Sequence, residues 1–365
     1  MPVLVDDVLT LPEWQNAQEG KVFLTGATGF AGAYMLARLL SMPTVKKLAC
    51  LARGRGEQTP ANRIQQALEK YRLWDGSLER AQKIIVIEGD LADDALGMAE
   101  DQYRWLPNGP VLSSMWEQGS IGTRNVIKLA GKGRLKPLHY LSSIDAWNVT
   151  GFINKTKQVL EDEPLKPHAA LLPYDMGYAQ SQWVADEMVQ RARARSLPTV
   201  IYRPGFILGD SERAIGNPDD FFCTLYYVVH PNQILSPSSS PTVGFENLGR
   251  AYHLLSPDPA KSVSIEGTYQ LLIRAGFPME KISYHDWVSK IQEHSESPLQ
   301  PMLPMLQEPV FKDFTRMQTS TETPVYNTQN AVQALADRPE IKYIPLSELL
   351  RRYVDFWVER HYYSL

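Results

Sequence analysis

The chain has 365 residues, a formal net charge of −4, 44% hydrophobic and 21% charged residues, values ordinary for a globular protein of one large domain or a domain with a smaller companion. The acidic balance argues against a nucleic-acid partner, which would call for a basic stripe. Cys50 and Cys223 give neither a disulfide framework nor a metal-ligand spacing, so the expected compartment is the reducing cytoplasm; the opening residues do not read as a signal peptide and no apolar run is long enough to span a bilayer, so no membrane partner is expected either.

Residues 1–20 read as a polar lead-in. KVFLTG, Lys21 to Gly26, is a short apolar strand ending in glycine, and AGAYMLARLL after it has the composition of a helix. KKLACLARG is a second strand. In ANRIQQALEKYRLW, Ile64, Ala67, Leu68 and Tyr71 recur at helical spacing on one face. KIIVIEGD, PLHYLSS and PTVIYRPG are further strands, with the long helix GYAQSQWVADEMVQRARAR between the last two. His139, in PLHYLSS, reads as a packed core residue. Strands alternating with helices imply a parallel sheet covered on both faces. After Gly209, SPSSSPT (Ser236–Thr242) reads as a loop or flexible lid, GFENLGRAYHLLS as a helix and GTYQLLI as a returning strand. In PLSELLRRYVDFWVER, Leu346, Leu349, Leu350, Tyr353, Val354 and Trp357 form an apolar helical stripe of the kind that packs a core.

TGATGFAG, Thr25 to Gly32, follows a strand and opens a helix, which is the setting a phosphate cradle needs. Gly26 can make the tight turn, Gly29 lets the backbone approach a pyrophosphate, and Gly32 lets helix and strand pack closely. The N–H groups at the helix start, beside Thr25 and Phe30, face the anion. Arg53 ends the second strand, where an arginine suits a 2′-phosphate, so NADPH is the expected cofactor, with Arg55 a candidate second contact. Asp90 and Leu91, after the third strand, are expected beside the adenine. A plain strand-to-helix turn and a solvated arginine are the alternatives for these features. The expected architecture is α/β: a Rossmann-type doubly wound parallel sheet over 21–210, with return elements near 243–275, and a smaller, mostly helical substrate lobe over 211–365.

Taken in order, TGATGFAG, EGDLADDALGM, YLSSIDAW, GYAQSQWVAD and YRPGFILGD resemble the extended short-chain dehydrogenase/reductases. RIQQALEKYRLW ahead of IIVIEGDLADDALGM narrows the resemblance to the thioester reductase domains that end nonribosomal peptide synthetases, polyketide–peptide hybrids and carboxylic acid reductases. PLQPMLPML, PVYNTQNAVQAL and LLRRYVDFW resemble fungal members, and the likeness runs over nearly the whole chain from Lys21. It implies a role in secondary metabolism and, as partner, an acyl or peptidyl carrier protein bearing a phosphopantetheine-linked substrate; the expected dock is Ser211–Leu365, which leaves from the carboxyl edge of the sheet where ligands enter. It also implies a catalytic trio, by position Ser143, Tyr178 and Gln182. Hydride arriving at a thioester carbonyl leaves negative charge on oxygen, which the tyrosine and serine hydroxyls stabilise. In the family a lysine lowers the tyrosine pKa and holds the nicotinamide ribose; Gln182 can still hydrogen-bond a ribose hydroxyl but carries no charge.

Two further departures accompany Gln182. About twenty residues of an expected strand and loop are missing ahead of GSIGTRNVIKLA, with GPVLSSM as a shortened substitute. The stretch from Phe221 to Phe245 is also short and lacks the family's Pro-Val-Asp. Three readings stay open: NADPH-dependent reductive release of the acyl chain, redox-neutral Dieckmann cyclisation releasing a tetramic acid, and a non-catalytic NADP-binding or scaffold protein. A serine thioesterase is disfavoured because there is no G-x-S-x-G elbow, and a metal hydrolase because the histidines are scattered.

Overall fold

The computed structural model describes residues 20–105, 111–114, 119–147, 149–207, 209–217, 248–258, 261, 263, 265–274, 276, 282–295, 297, 299–341 and 343–359. The expected loop Ser236–Thr242, the short stretch Phe221–Phe245 and nearly all of the lead-in lie outside these residues. The chain forms two compact units. The first is Met1–Ser142 with Val184–Tyr202 and Thr242–Ala251; the second is Ser143–Trp183 with Arg203–Pro241 and Tyr252–Leu365.

The elements run in order β1 (Lys21–Thr25), α1 (Phe30–Ser41), β2 (Lys47–Ala52), α2 (Pro60–Lys70), α3 (Leu78–Lys83), β3 (Ile84–Glu88), α4 (Glu100–Trp105), β4 (Val111–Ser114), α5 (Gly119–Gly131) and β5 (Leu138–Leu141). After α6 (Thr150–Ile153) and β6 (Gln158–Val159) come the long α7 (Gly177–Arg193), β7 (Thr199–Pro204) and β8 (Ala251–Leu254). The main sheet has the order β3-β2-β1-β4-β5-β7-β8, and the strand pairs from β3 to β7 are parallel. Strand order therefore reverses between β1 and β4, the place where a doubly wound sheet opens a crevice at its carboxyl edge.

Side-chain alternation on the strands builds a core on each face. Val22 and Leu24 of β1, with Leu48 and Cys50 of β2, pack under Leu36, Leu39 and Leu40 of α1 and Ile64 and Leu68 of α2. Their neighbours Phe23, Ala49 and Leu51 point the other way, toward Val126 and Leu129 of α5 and Ala185 and Val189 of α7. Thr59 caps α2 by accepting from Asn62 N–H at 3.2 Å, and Pro60 fills the first helical position, where no donor is needed. His139 is buried as expected: Tyr202 Oη lies 3.1 Å from its Nδ1, and burial pulls its pKa down to about 4, so the ring is neutral. Burial pushes the free Cys50 thiol up to about 12.

GPVLSSM is the shortened substitute expected for the missing central strand: β4, four residues long, registers Phe23 against Val111 on one side and Val111 against Leu138 on the other. Two sequence expectations change. GFENLGRAYHLLS is not helical where it is described; Ala251–Leu254 is strand β8, led in by a turn with Gly249 at φ +86°. GTYQLLI is not a strand but lies in the helix Ile265–Arg274, where Thr268 and Leu272, four apart, are buried while Gln270 and Ile273 are exposed. Short apolar runs carry both periodicities, and only the sheet edge decides between them.

The second unit is built from short strands and helices. β6 pairs in parallel with Val325–Tyr326, and Pro309–Phe311 forms a hairpin with Phe314–Thr315. Trp287, Val288 and Ile291 pack with Leu299 and Leu306. The buried carboxylate of Glu161 accepts the backbone N–H groups of His253, Asn330 and Ala331, closing the start of the helix Gln329–Ala334. Arg203, from the YRPG motif, is buried over the Trp147 ring at 5.3 Å and donates to Glu161 O at 2.7 Å. In the helix Leu346–Glu359 the predicted stripe is buried at Leu346, Leu349, Leu350, Tyr353 and Val354; the Trp357 side chain lies outside the described residues. Among the described residues no helix is long and apolar enough to cross a membrane, and no group of His, Cys, Asp and Glu could hold a metal ion.

Candidate functional site

In the first unit the glycine turn has the shape its sequence implies. Gly26 sits at φ +74°, a conformation glycine adopts without strain, and its carbonyl accepts Gly29 N–H at 3.0 Å. Helix α1 then starts without a side-chain cap and without an acidic residue in its first turn. The first helical bond is Ala33 N–H to Gly29 O at 2.8 Å, so the N–H groups of residues 30–32 precede the helical ladder and carry the positive end of the dipole. A Cβ on Gly32 would stand 1.9 Å from Gly26 O, which explains this glycine by packing alone. A Cβ on Gly29 would meet nothing nearer than Gly26 O at 3.5 Å, so the absence of a side chain there leaves space for an anion, not for the fold. These features fit a dinucleotide pyrophosphate. Thr25 is buried at the end of β1. The Phe30 ring packs on Tyr34 and Tyr71, each at 4.9 Å, so only its backbone N–H is available to a phosphate.

Arg53 follows β2 and pairs with Asp90 at 3.3 Å, both groups partly in water. Such a pair is weak and exchangeable, leaving the guanidinium able to turn to a 2′-phosphate. Arg55 is exposed in the next turn. Asp90 also accepts Ala92 N–H at 2.8 Å. The chain around Leu91 is held by a residue the sequence reading missed: buried Asn125 on α5 donates to Leu91 O at 2.9 Å and Asp93 O at 3.0 Å.

The three proposed catalytic residues all fall in the second unit. Ser143 follows β5 and is nearly buried; its Oγ accepts Asp145 N–H at 3.1 Å. With that lone pair engaged, the hydroxyl proton is left to be donated elsewhere. Tyr178 and Gln182 are one turn apart on α7 and share a face. Tyr178 is half-buried, whereas Gln182 is 2% exposed and its Oε1 accepts no hydrogen bond among the described residues. One turn further along the same face, within the first unit, Asp186 accepts Ser142 Oγ–H at 2.6 Å and Gln190 Nε2–H at 2.9 Å. This buried clamp fixes the rotation of α7 against the end of β5, and sequence reading did not single it out.

Sequence reading also missed a charge cluster in the second unit, buried at Asp175 and partly exposed at Asp145. Asp175, just ahead of α7, accepts Met176 N–H at 2.7 Å and Arg316 Nε–H at 2.6 Å. Arg316 Nη2 lies 3.9 Å from Asp145 Oδ1. Burial raises both carboxyls above the ordinary range, partly offset by Arg316, and pushes the neighbouring Tyr326 phenol up. Arg316 lies 141 residues or more from both carboxylates, so no local pattern announces the pairing.

Comparison with known proteins adds four likenesses. The profile of an NAD-binding family described as Male sterility protein matches residues 24–109 and 111–243. The nonribosomal peptide synthetase FrzA of a Cladobotryum species is 39% identical over 94% of this chain and 37% of its own length. The aldehyde reductase lnaA of Aspergillus flavus is 36% identical over 94% of this chain and 36% of its own. The crystal structure of the terminal R domain from the myxalamid PKS–NRPS biosynthetic pathway matches with a TM-score of 0.75 at 26% identity, covering 94% of this chain and 92% of that one. The chain thus spans little more than a third of the length of these curated relatives.

Proposed function

The chain belongs to the NAD-binding family described as Male sterility protein, with the fold of the reductase domains of nonribosomal peptide synthetases, and from that premise we propose that it releases a carrier-bound acyl or peptidyl thioester by NADPH-dependent reduction. The observation that carries this reading is the likeness, over 94% of the chain, to a terminal R domain at 26% identity. The aldehyde reductase among its relatives supports the same chemistry.

The backbone N–H groups after Gly29 would hold the pyrophosphate, Arg53 the 2′-phosphate, and the polypeptide near Asp90 and Leu91 the adenine. The cofactor supplies a hydride. Ser143, its acceptor side engaged by Asp145 N–H, donates its hydroxyl proton as a hydrogen bond to the thioester carbonyl oxygen. Tyr178 donates a second and passes its proton as charge develops on that oxygen. The O–H proton returns to Tyr178 as the C–S bond breaks, the pantetheine thiolate leaves and an aldehyde remains; a second hydride would give the alcohol. Gln182 offers its unpaired amide oxygen to a ribose hydroxyl, in place of the family lysine, and does nothing for the tyrosine pKa. The carrier protein would dock on Ser211–Leu365. A cytoplasmic setting agrees with the free thiol of Cys50.

Gln182 is also compatible with a second reading. Redox-neutral Dieckmann closure needs a base to take the proton between two carbonyls, after which the carbanion attacks the thioester carbon and the thiol leaves. Ser143 and Tyr178 would stabilise that oxyanion without a lysine. The deciding experiment offers the protein a pantetheine-linked acyl thioester and NADPH and follows both thiol and cofactor. Thiol release matched by NADPH loss supports reduction. Thiol release without NADPH loss, from a substrate with the acidic proton, supports cyclisation. Neither, with cofactor bound, leaves the non-catalytic reading.

A further inference from the structure

The stretch 309–319 returns to both segments that carry the proposed catalytic hydroxyls. Its hairpin, Pro309–Phe311 with Phe314–Thr315, runs directly into the single helical turn Arg316–Thr319. A reciprocal capping box fixes that turn: Thr315 Oγ1 accepts from Gln318 N–H, and Gln318 Oε1 accepts from Thr315 N–H at 2.9 Å. Arg316 is therefore the first residue of a locked turn, and its guanidinium is engaged on three sides. Nε donates to Asp175 Oδ1 at 2.6 Å, Nη1 to Ser320 Oγ at 3.0 Å, and Nη2 approaches Asp145 Oδ1 at 3.9 Å.

Each aspartate belongs to a catalytic segment. Asp145 gives its backbone N–H to Ser143 Oγ. Asp175 accepts the N–H of Met176, directly ahead of α7 and two residues before Tyr178. Aromatic contacts seat the same hairpin independently: Tyr174 on Phe311 at 5.4 Å, Phe152 on Phe314 at 5.2 Å and on Phe311 at 6.4 Å. With those rings in place the hairpin does not need a partly buried charge cluster for attachment. Buried ion groups are, besides, a poor source of stability compared with apolar residues of similar volume. What the guanidinium adds is geometry: it hydrogen-bonds Asp175 in a fixed plane while its charge stands 3.9 Å from Asp145 and holds that carboxylate by attraction.

We propose that Arg316 is a positioning residue for the reduction described above, locking the Ser143 turn and the Tyr178 end of α7 into one register so that both hydroxyls serve the same carbonyl oxygen. The role rests on the reductive-release reading for its consequence, but not for its physical basis. It acts through Asp145 and Asp175 and leaves cofactor affinity to the glycine turn.

The test compares wild type with Arg316→Met, Arg316→Lys and Asp145→Asn, measuring steady-state kinetics on a pantetheine-linked acyl thioester, NADPH affinity by calorimetry, and amide exchange in 143–147 and 176–183. Arg316→Met lowers kcat by about tenfold to a hundredfold with KM and NADPH affinity little changed, because small misplacements of reacting groups act on the chemical step. Exchange rises in both segments. Arg316→Lys recovers part of the rate, as an ammonium can meet one carboxylate but not bridge two. Asp145→Asn, which keeps the Asp175 arm, raises exchange in 143–147 alone and covers the case in which Arg316→Met does not fold. Unchanged exchange in folded Arg316→Met, or a rise in Arg316→Lys as large as in Arg316→Met, overturns the proposal. If wild type turns over no NADPH, the exchange data still decide on the lock while the reductive reading fails; if wild type is active and exchange does not move, the lock fails and that reading stands.

Discussion

Gly32→Ala and Gly29→Ala separate what the glycine turn does for the fold from what it does for a ligand. At Gly32 the added Cβ stands 1.9 Å from Gly26 O and 2.5 Å from Gly26 C. Comfortable carbon contacts lie near 3.5 Å, so turn and helix must part by roughly 1.5 Å. Both partners are backbone, and neither can rotate away. Overpacking costs about 1–3 kcal/mol, and a clash between two backbones belongs at the upper end. At about 2–4 °C per kcal/mol for a unit of this size, Gly32→Ala lowers the melting temperature by about 6–12 °C without any ligand. At Gly29 the nearest atom is Gly26 O at 3.5 Å and φ is −89°, which alanine accepts. Only the poorer helix cap counts, about 0.5–1 kcal/mol. Its methyl group, however, occupies the space left for the pyrophosphate. Wild type at a hundredfold excess of NADPH over Kd gains about 2.7 kcal/mol, and Gly29→Ala forfeits most of it. Scanning fluorimetry with and without NADPH reads both effects. A Gly32→Ala protein that melts with wild type, or a Gly29→Ala protein that keeps the full NADPH shift, refutes the reasoning.

Arg53→Ala weakens NADPH binding far more than NADH binding in calorimetry; equal loss for the two cofactors removes the basis for 2′-phosphate recognition. Gln182→Lys raises hydride-transfer rate in single-turnover NADPH oxidation, but only partly, since the side chain at this position is 2% exposed and burial depresses an ammonium's pKa. No gain, with the variant folded and cofactor bound, shows that the missing charge is not limiting. His139 stays neutral in the fold down to about pH 4, against an ordinary 6.5, so protons bind the unfolded chain first and stability falls as pH drops through that window. The full loss is about 3 kcal/mol. Urea titrations across the same pH range show a shallower fall for His139→Gln, which keeps a partner for Tyr202; an unchanged slope contradicts the assignment.

Elements whose pattern is long or repeated were readable without coordinates. The strands ending at Thr25, Ala52 and Glu88 alternate into two cores, and α2 and α7 show their periodicity over several turns. β4 was legible only as a shortened substitute for a missing strand, and β8 was not readable, because four residues carry too little period and strand identity there comes from hydrogen bonds to neighbouring strands. The candidate site divides in the same way. The glycine turn, Ser143 and Tyr178 belong to contiguous motifs, and the missing lysine at Gln182 was visible as a substitution. Its burial and unpaired oxygen were not, because neither is a property of the local sequence. Asn125, Asp186 and Arg316 act on atoms 32, 44 and 141 residues away, distances at which a single sequence carries no pairing signal.

The central claim is hydride delivery to a thioester carbonyl. Its most direct measurement supplies the protein with NADPH deuterated at the transferring position and a pantetheine-linked acyl thioester, then analyses the released product by mass spectrometry. The account predicts an aldehyde, or the alcohol derived from it, with deuterium on the former carbonyl carbon and one equivalent of free pantetheine thiol. Thiol released with a product that carries no deuterium contradicts it.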